Sequence, residues 1–120
     1  MALARAARAR RDVVGARAAL HEFRSRFPNH PAASRATFLL GRVAEDLAND
    51  AGQAASWFAR YLQEYPSGPL AGQARGRLLS YFNRRGDKQN AERIALECLR
   101  SDPDGPYSDL ARAILSGSGE

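Results

Sequence analysis

Apolar positions along the chain recur in steps of three and four, the spacing of one helix face. Between Asp50 and Pro66 they are Ala54, Trp57, Phe58, Tyr61, Leu62 and Tyr65, a stripe that an α-helix would turn towards a core. The same rhythm runs through Val13, Ala16, Leu20, Phe23 and Phe27, and again through Ala91, Ile94, Ala95, Cys98 and Leu99. A second set lies between them: Ala33, Ala36, Leu40, Val43, Ala44 and Leu47, then Leu70, Ala74, Leu78, Tyr81 and Phe82. Composition points the same way. The 120 residues include 23 alanines and 17 arginines, both strong helix formers, but only two Ile, three Val and one Thr, too few β-branched residues for a sheet.

Proline divides these stripes into equal parts. The six prolines form three P-x-x-P pairs, at Pro28 and Pro31, Pro66 and Pro69, and Pro103 and Pro106, with successive pairs 38 and 37 residues apart. Asp12, Asp50 and Asp87 keep a fixed distance from the first proline of each pair, as do Ala16, Ala54 and Ala91, Ala36, Ala74 and Ala111, and Leu40, Leu78 and Leu115. A period of this length with small and large residues in register is the mark of tandem helix pairs. Each aspartate is placed to cap the helix that follows. The first proline of each pair ends that helix, and the second opens the next. The expected fold is all-α, an α-solenoid of about three repeats over residues 1–115, with residues 116–120 as a flexible tail. Leu3 falls in register with Leu40 and Leu78, so Ala2–Arg11 is expected to be the second half of a helix, with the chain either a piece of a longer array or one whose first helix is abbreviated.

Helix pairs closed by proline resemble tetratricopeptide repeats. Leu40-Gly41, Ala44, Ala54, Phe58, Tyr61 and Pro66 occupy the family's pattern positions. So do Leu78-Leu79, Phe82, Gly86, Ala91, Ala95, Cys98 and Pro103. The period exceeds the family's usual length of about 34 residues, and Thr37 and Arg75 stand where the family often has Trp. The phrases Tyr65-Pro66-Ser67-Gly68-Pro69 and Phe38-Leu39-Leu40-Gly41 are similar to a subgroup of bacterial envelope proteins, among them the periplasmic coordinator of the Tol-Pal system and outer-membrane assembly lipoproteins. The resemblance implies a non-catalytic module that binds a protein or peptide in a groove lined by the first helix of each pair. By register those positions are Arg35, Phe38, Arg42 and Glu45, then Gln73, Arg77, Ser80 and Arg84. Four arginines there suggest an acidic ligand. Phe38 is either its apolar anchor or packed against the preceding repeat, with the arginines then merely solvated.

Charge changes the picture only locally. The formal net charge is +5, but residues 1–42 alone carry +7 and the rest −2. Arg5, Arg8, Arg10 and Arg11 leave a second reading open, that of a nucleic-acid or anionic-surface binder. No aromatic platform for bases is interleaved with them. The segment is acid-poor like a transit peptide, yet it keeps the repeat register, and no apolar stretch follows it as in a secretory signal. The compartment stays open between the envelope and the cytoplasm. His21 and His30 have no partners at metal or triad spacing. Cys98 reads as a buried apolar residue. No nucleotide or hydrolase motif is present, so neither an enzyme, a metal site nor a cofactor is expected. Without polar caps, the end helices are expected to expose apolar surface through which the chain could self-associate.

Overall fold

The computed structural model describes residues 2–117, with side chains from Asp12 onward. Among the described residues there are six helices and no strand: α1 (Ala2–Arg26), α2 (Pro31–Arg42), α3 (Ala51–Glu64), α4 (Ala71–Arg85), α5 (Lys88–Ser101) and α6 (Ser108–Leu115). Each packs on the next in sequence. This is a helical repeat solenoid.

Local chemistry sets most helix ends. The Asp50 carboxylate accepts the backbone N–H of Gln53 at 3.0 Å and so caps α3. Asp87 does the same for α5 through Asn90, at 3.3 Å. The residue before each of these aspartates has a left-handed backbone, Asn49 with φ 52° and Gly86 with φ 71°, a conformation that Asn and Gly tolerate best. Arg11 holds that place before Asp12. It is poorly suited to the turn, and α1 runs on through it from Ala2 to Arg26. Two expectations are therefore corrected. Ala2–Arg11 is not the end of a separate helix, and Asp12 caps nothing.

The three P-x-x-P links share one hydrogen-bond pattern. Phe27, Tyr65 and Asp102 accept at their carbonyls from the N–H groups of His30, Gly68 and Gly105, and the carbonyls of these accept from Ala33, Ala71 and Ser108. Each link is a pair of successive turns. Pro31 opens α2, where His30 Nδ1 accepts the N–H of Ala32 at 3.0 Å. Pro69 and Pro106 instead lie two residues before α4 and α6, a correction to the expected helix starts. In the second and third links an arginine bridges back to the first proline. Arg75 donates to the Pro66 carbonyl at 2.8 Å and Arg112 to that of Pro103 at 2.6 Å.

The repeats differ by one residue, and its location is visible. The distance from Asp to the following Leu is constant, while Leu40 to Asp50 is one residue longer than Leu78 to Asp87. That segment contains a π turn, Val43–Leu47, continuing α2. A wider turn absorbs an inserted residue without unwinding the helix.

The core follows the apolar stripes. Phe58, Tyr61, Leu40, Leu79 and Ile94 are almost wholly buried, and Ala44, Ala74, Ala95 and Ala111 are completely so. Alanine at these contacts lets helix axes approach, and neighbouring rings fill the space. Gly41 takes this further, since a Cβ there would lie 2.6 Å from the Phe58 ring. Trp57, placed in the core by its spacing, is only partly buried. Leu47 is 55% exposed, carried outward by the π turn. Val14, Leu39 and Leu47 at one end and Leu96 and Leu115 at the other are exposed apolar side chains. The expected flexible tail is in part a helix cap. Ser116 and Gly117 donate their N–H groups to Arg112 and Ile114 and close α6; residues 118–120 lie outside the described region.

Candidate binding groove

Helix α4 offers two opposite faces. At about 100° per residue, Arg77, Ser80 and Arg84 lie on one side, and Arg75, Leu78 and Phe82 on the other. The first side faces a depression of about 560 Å³ bounded by the π turn, α4 and the start of α6. Glu45, Asp46, Arg77, Ser80, Asn83, Arg84, Tyr107 and Leu110 line it.

Of the expected groove residues, Glu45, Arg77, Ser80 and Arg84 meet here. Arg42 reaches its edge through an ion pair with Asp46 at 3.0 Å. Arg35 and Gln73 are exposed near the starts of α2 and α4 and do not line it. Phe38 is 3% exposed. Its ring packs 5.2 Å from that of Phe58 and 6.0 Å from that of Tyr61, so it is core and cannot be an exposed anchor. Its ring partners are on the following helix α3 and not in the preceding repeat, because Phe38 lies beside Gly41, one turn on along α2, and both positions meet the Phe58 ring.

The groove is less basic than its arginines suggest. Arg77 pairs with Glu45 across the repeat boundary. Its guanidinium lies 5.8 Å from the centre of the Phe58 ring, and its Nε is sealed from solvent without a hydrogen-bond partner. With Arg42 paired as well, Arg84 is the groove arginine without a carboxylate partner among the described residues; its Nε makes a long 3.4 Å bond to the Ser80 carbonyl. The π turn supplies both carboxylates, Glu45 and Asp46. Ser80, Asn83 and Tyr107 spend no side-chain polar atom on another described residue.

Sequence reasoning missed Asp46, Asn83, Tyr107 and Leu110. Leu110 was within reach, since it lies 37 residues after Gln73 and so continues the register of Arg35 and Gln73. Tyr107 was not, because it enters over Gly76, where any Cβ would collide with its ring. The histidines have structural work. His30 caps α2, and His21 meets the Trp57 ring edge-on, with centroids 5.2 Å apart. Burial pushes the Cys98 thiol above its usual 9.0.

In the basic N-terminal third, three of the arginines whose side chains are described are engaged internally, while Arg35 is exposed. Arg17 bonds Gln53 at 2.6 Å, Arg24 pairs with Glu64 at 2.9 Å, and Arg26 with Glu22 at 3.2 Å. Arg5, Arg8, Arg10 and Arg11 lie outside the described side chains. Among the described residues no helix is long and apolar enough to cross a membrane.

Stacked helix pairs joined at proline, with the glycine and alanine contacts described above, define a helical repeat protein. The tetratricopeptide repeat family model matches residues 1–69, more than half of the chain. The chain belongs to the tetratricopeptide repeat family, whose domains generally mediate protein–protein interaction and are typically non-catalytic. Comparison with curated proteins and with solved structures found no match.

Proposed function

We propose that the chain is a scaffold module that holds a segment of a partner protein in the groove between the π turn, α4 and α6. One observation carries this reading: Ser80, Asn83 and Tyr107 turn unspent hydrogen-bonding groups into one depression beside Leu110 and the carboxylate-free Arg84. Such a surface suits an extended peptide, whose backbone needs both donors and acceptors. The acidic character of the ligand rests on Arg84, with Arg35 available outside the depression. An envelope setting is supported by the phrases Tyr65–Pro69 and Phe38–Gly41. Self-association through the exposed leucines at the two ends is a further part of the reading, and sedimentation at rising concentration tests it.

The groove is tested with peptides selected against the whole chain from a random display library. Enriched peptides should bind about tenfold more weakly to Arg84→Glu and to Asn83→Ala, and should keep their affinity for Arg26→Glu, an exposed change outside the groove. Selection of nothing, or peptides indifferent to both groove variants, overturns the proposal. Binding to unrelated DNA duplexes that falls steeply with salt would favour the nucleic-acid reading.

A further inference from the structure

The opposite face of α4 floors a crevice between α3 and α5, and the same crevice occurs one repeat earlier between α1 and α3. The earlier one is plugged. His21 and Arg24 from α1 meet Trp57, Arg60 and Glu64 from α3. The Arg24 guanidinium lies 5.3 Å from the centre of the Trp57 ring and that of Arg60 5.7 Å. One Arg24 nitrogen bonds both Glu64 oxygens, at 2.9 and 3.1 Å, and Arg60 bonds Glu64 at 3.3 Å. A flat ring between cations and a carboxylate that ties them together close the space.

In the later crevice the register replaces each part of that plug. Ala59 stands for His21, Leu62 for Arg24, Ile94 for Trp57, Glu97 for Arg60 and Ser101 for Glu64. A cavity of about 420 Å³ remains, with Leu62, Phe82 and Ile94 inside it and Arg75, Arg93 and Arg100 around it. Three cations face one lining carboxylate, Glu97. Glu97 is 3.7 Å from Arg93, which also bonds Asn90 at 3.2 Å. Arg75 spends one nitrogen on the Pro66 carbonyl, and Arg100 has no ion pair among the described residues.

We propose that this crevice is a second binding site, and that its occupant is a partner segment carrying an aromatic ring beside a carboxylate. The ring supplies what Ile94 lacks relative to Trp57, and the carboxylate supplies to the arginines what Ser101 lacks relative to Glu64. The site lies on the other face of α4 from the groove and does not depend on it.

The test uses the blocked dipeptide acetyl-Trp-Glu-amide as probe, followed by amide NMR shifts of the whole labelled chain. Saturable shifts are expected at Ile94, Arg100 and Ser101. Acetyl-Ala-Glu-amide and acetyl-Trp-Gln-amide should each bind about tenfold more weakly, as should Arg100→Glu with the original probe. Grafting the plug, with Leu62→Arg, Ile94→Trp and Ser101→Glu together, should abolish binding and raise the melting temperature. If the graft does not fold, Arg100→Glu alone decides, being an exposed change. Shifts confined to the groove, equal binding of the control dipeptides, or undiminished binding to Arg100→Glu overturns the proposal. Crevice shifts that follow protein concentration without probe also overturn it, since they would mark a second copy as the occupant.

Discussion

The buried Tyr61 hydroxyl accepts the backbone N–H of Leu70 at 3.0 Å. Tyr61 is near the end of α3 and Leu70 immediately precedes α4, so this bond locks one helix to the start of the next. Gly68 passes directly over the hydroxyl, where a Cβ would collide with it. Tyr61→Phe should cost about 1–3 kcal/mol, because it leaves a shielded N–H unpaired. Gly68→Ala should destabilise the parent chain and cost less in the Tyr61→Phe background, where the obstructing oxygen is gone. Equal costs of Gly68→Ala in the two backgrounds, by denaturant melts, would count against this account.

Two helical glycines should respond differently to alanine. Helix propensity favours Gly→Ala by about 1 kcal/mol. At Gly41 the new Cβ meets the Phe58 ring, which is 1% exposed and hemmed in on all sides. The overpacking cost of about 1–3 kcal/mol should prevail. At Gly76 the obstacle is Tyr107, only partly buried and able to swing outward, so Gly76→Ala should be nearly neutral in stability. It should weaken groove peptides instead. Thermal melts and peptide titrations separate the two.

Acid should weaken the start of α5. The Asn90 side chain donates to Asp87 at 2.8 Å, its backbone N–H adds a second bond, and together they hold the Asp87 carboxyl below its usual 3.8. A lowered folded pKa means that the stabilisation is complete above the unfolded value and is lost as pH falls below about 3.8 through the folded one. Asp87→Asn should therefore flatten the fall of melting temperature in that acid range. An unchanged profile would show that the capping bonds contribute nothing to it.

The π turn predicts an asymmetry between deletions. Removing one residue from Val43–Leu47 restores the spacing seen from Leu78 to Asp87, and the chain should still melt cooperatively. Removing one from 81–85 makes that spacing shorter than in either repeat and pulls Gly86 out of its left-handed turn. Cooperative melting should be lost. Circular dichroism of the two variants checks this.

Cys98 should react slowly. Burial raises the thiol above 9.0, with Arg75 opposing and Glu97 adding to the shift. Since the thiolate is the reactive form, aromatic disulfide reagents should modify the native chain at pH 8 far more slowly than the unfolded chain. Comparable rates would place the thiol at the surface.

What the amino-acid order decides alone is the punctuation. Caps at Asp50 and Asp87, the proline links and the alanine positions act over a few residues, so their spacing foretells helix pairs wherever the rest of the molecule lies. The failure at Asp12 belongs to the same local physics, since Arg11 lacks the left-handed tolerance of Asn49 and Gly86. Even the single inserted residue between Leu40 and Asp50 is countable in the chain. Tertiary packing decided the rest. Phe38 turned inward, Glu45 neutralised Arg77, and Trp57 with Arg24 and Glu64 closed one crevice while its neighbour stayed open. These outcomes join residues 20–40 positions apart. A side chain's charge or ring is spent or left available only when its neighbour on the next helix is known.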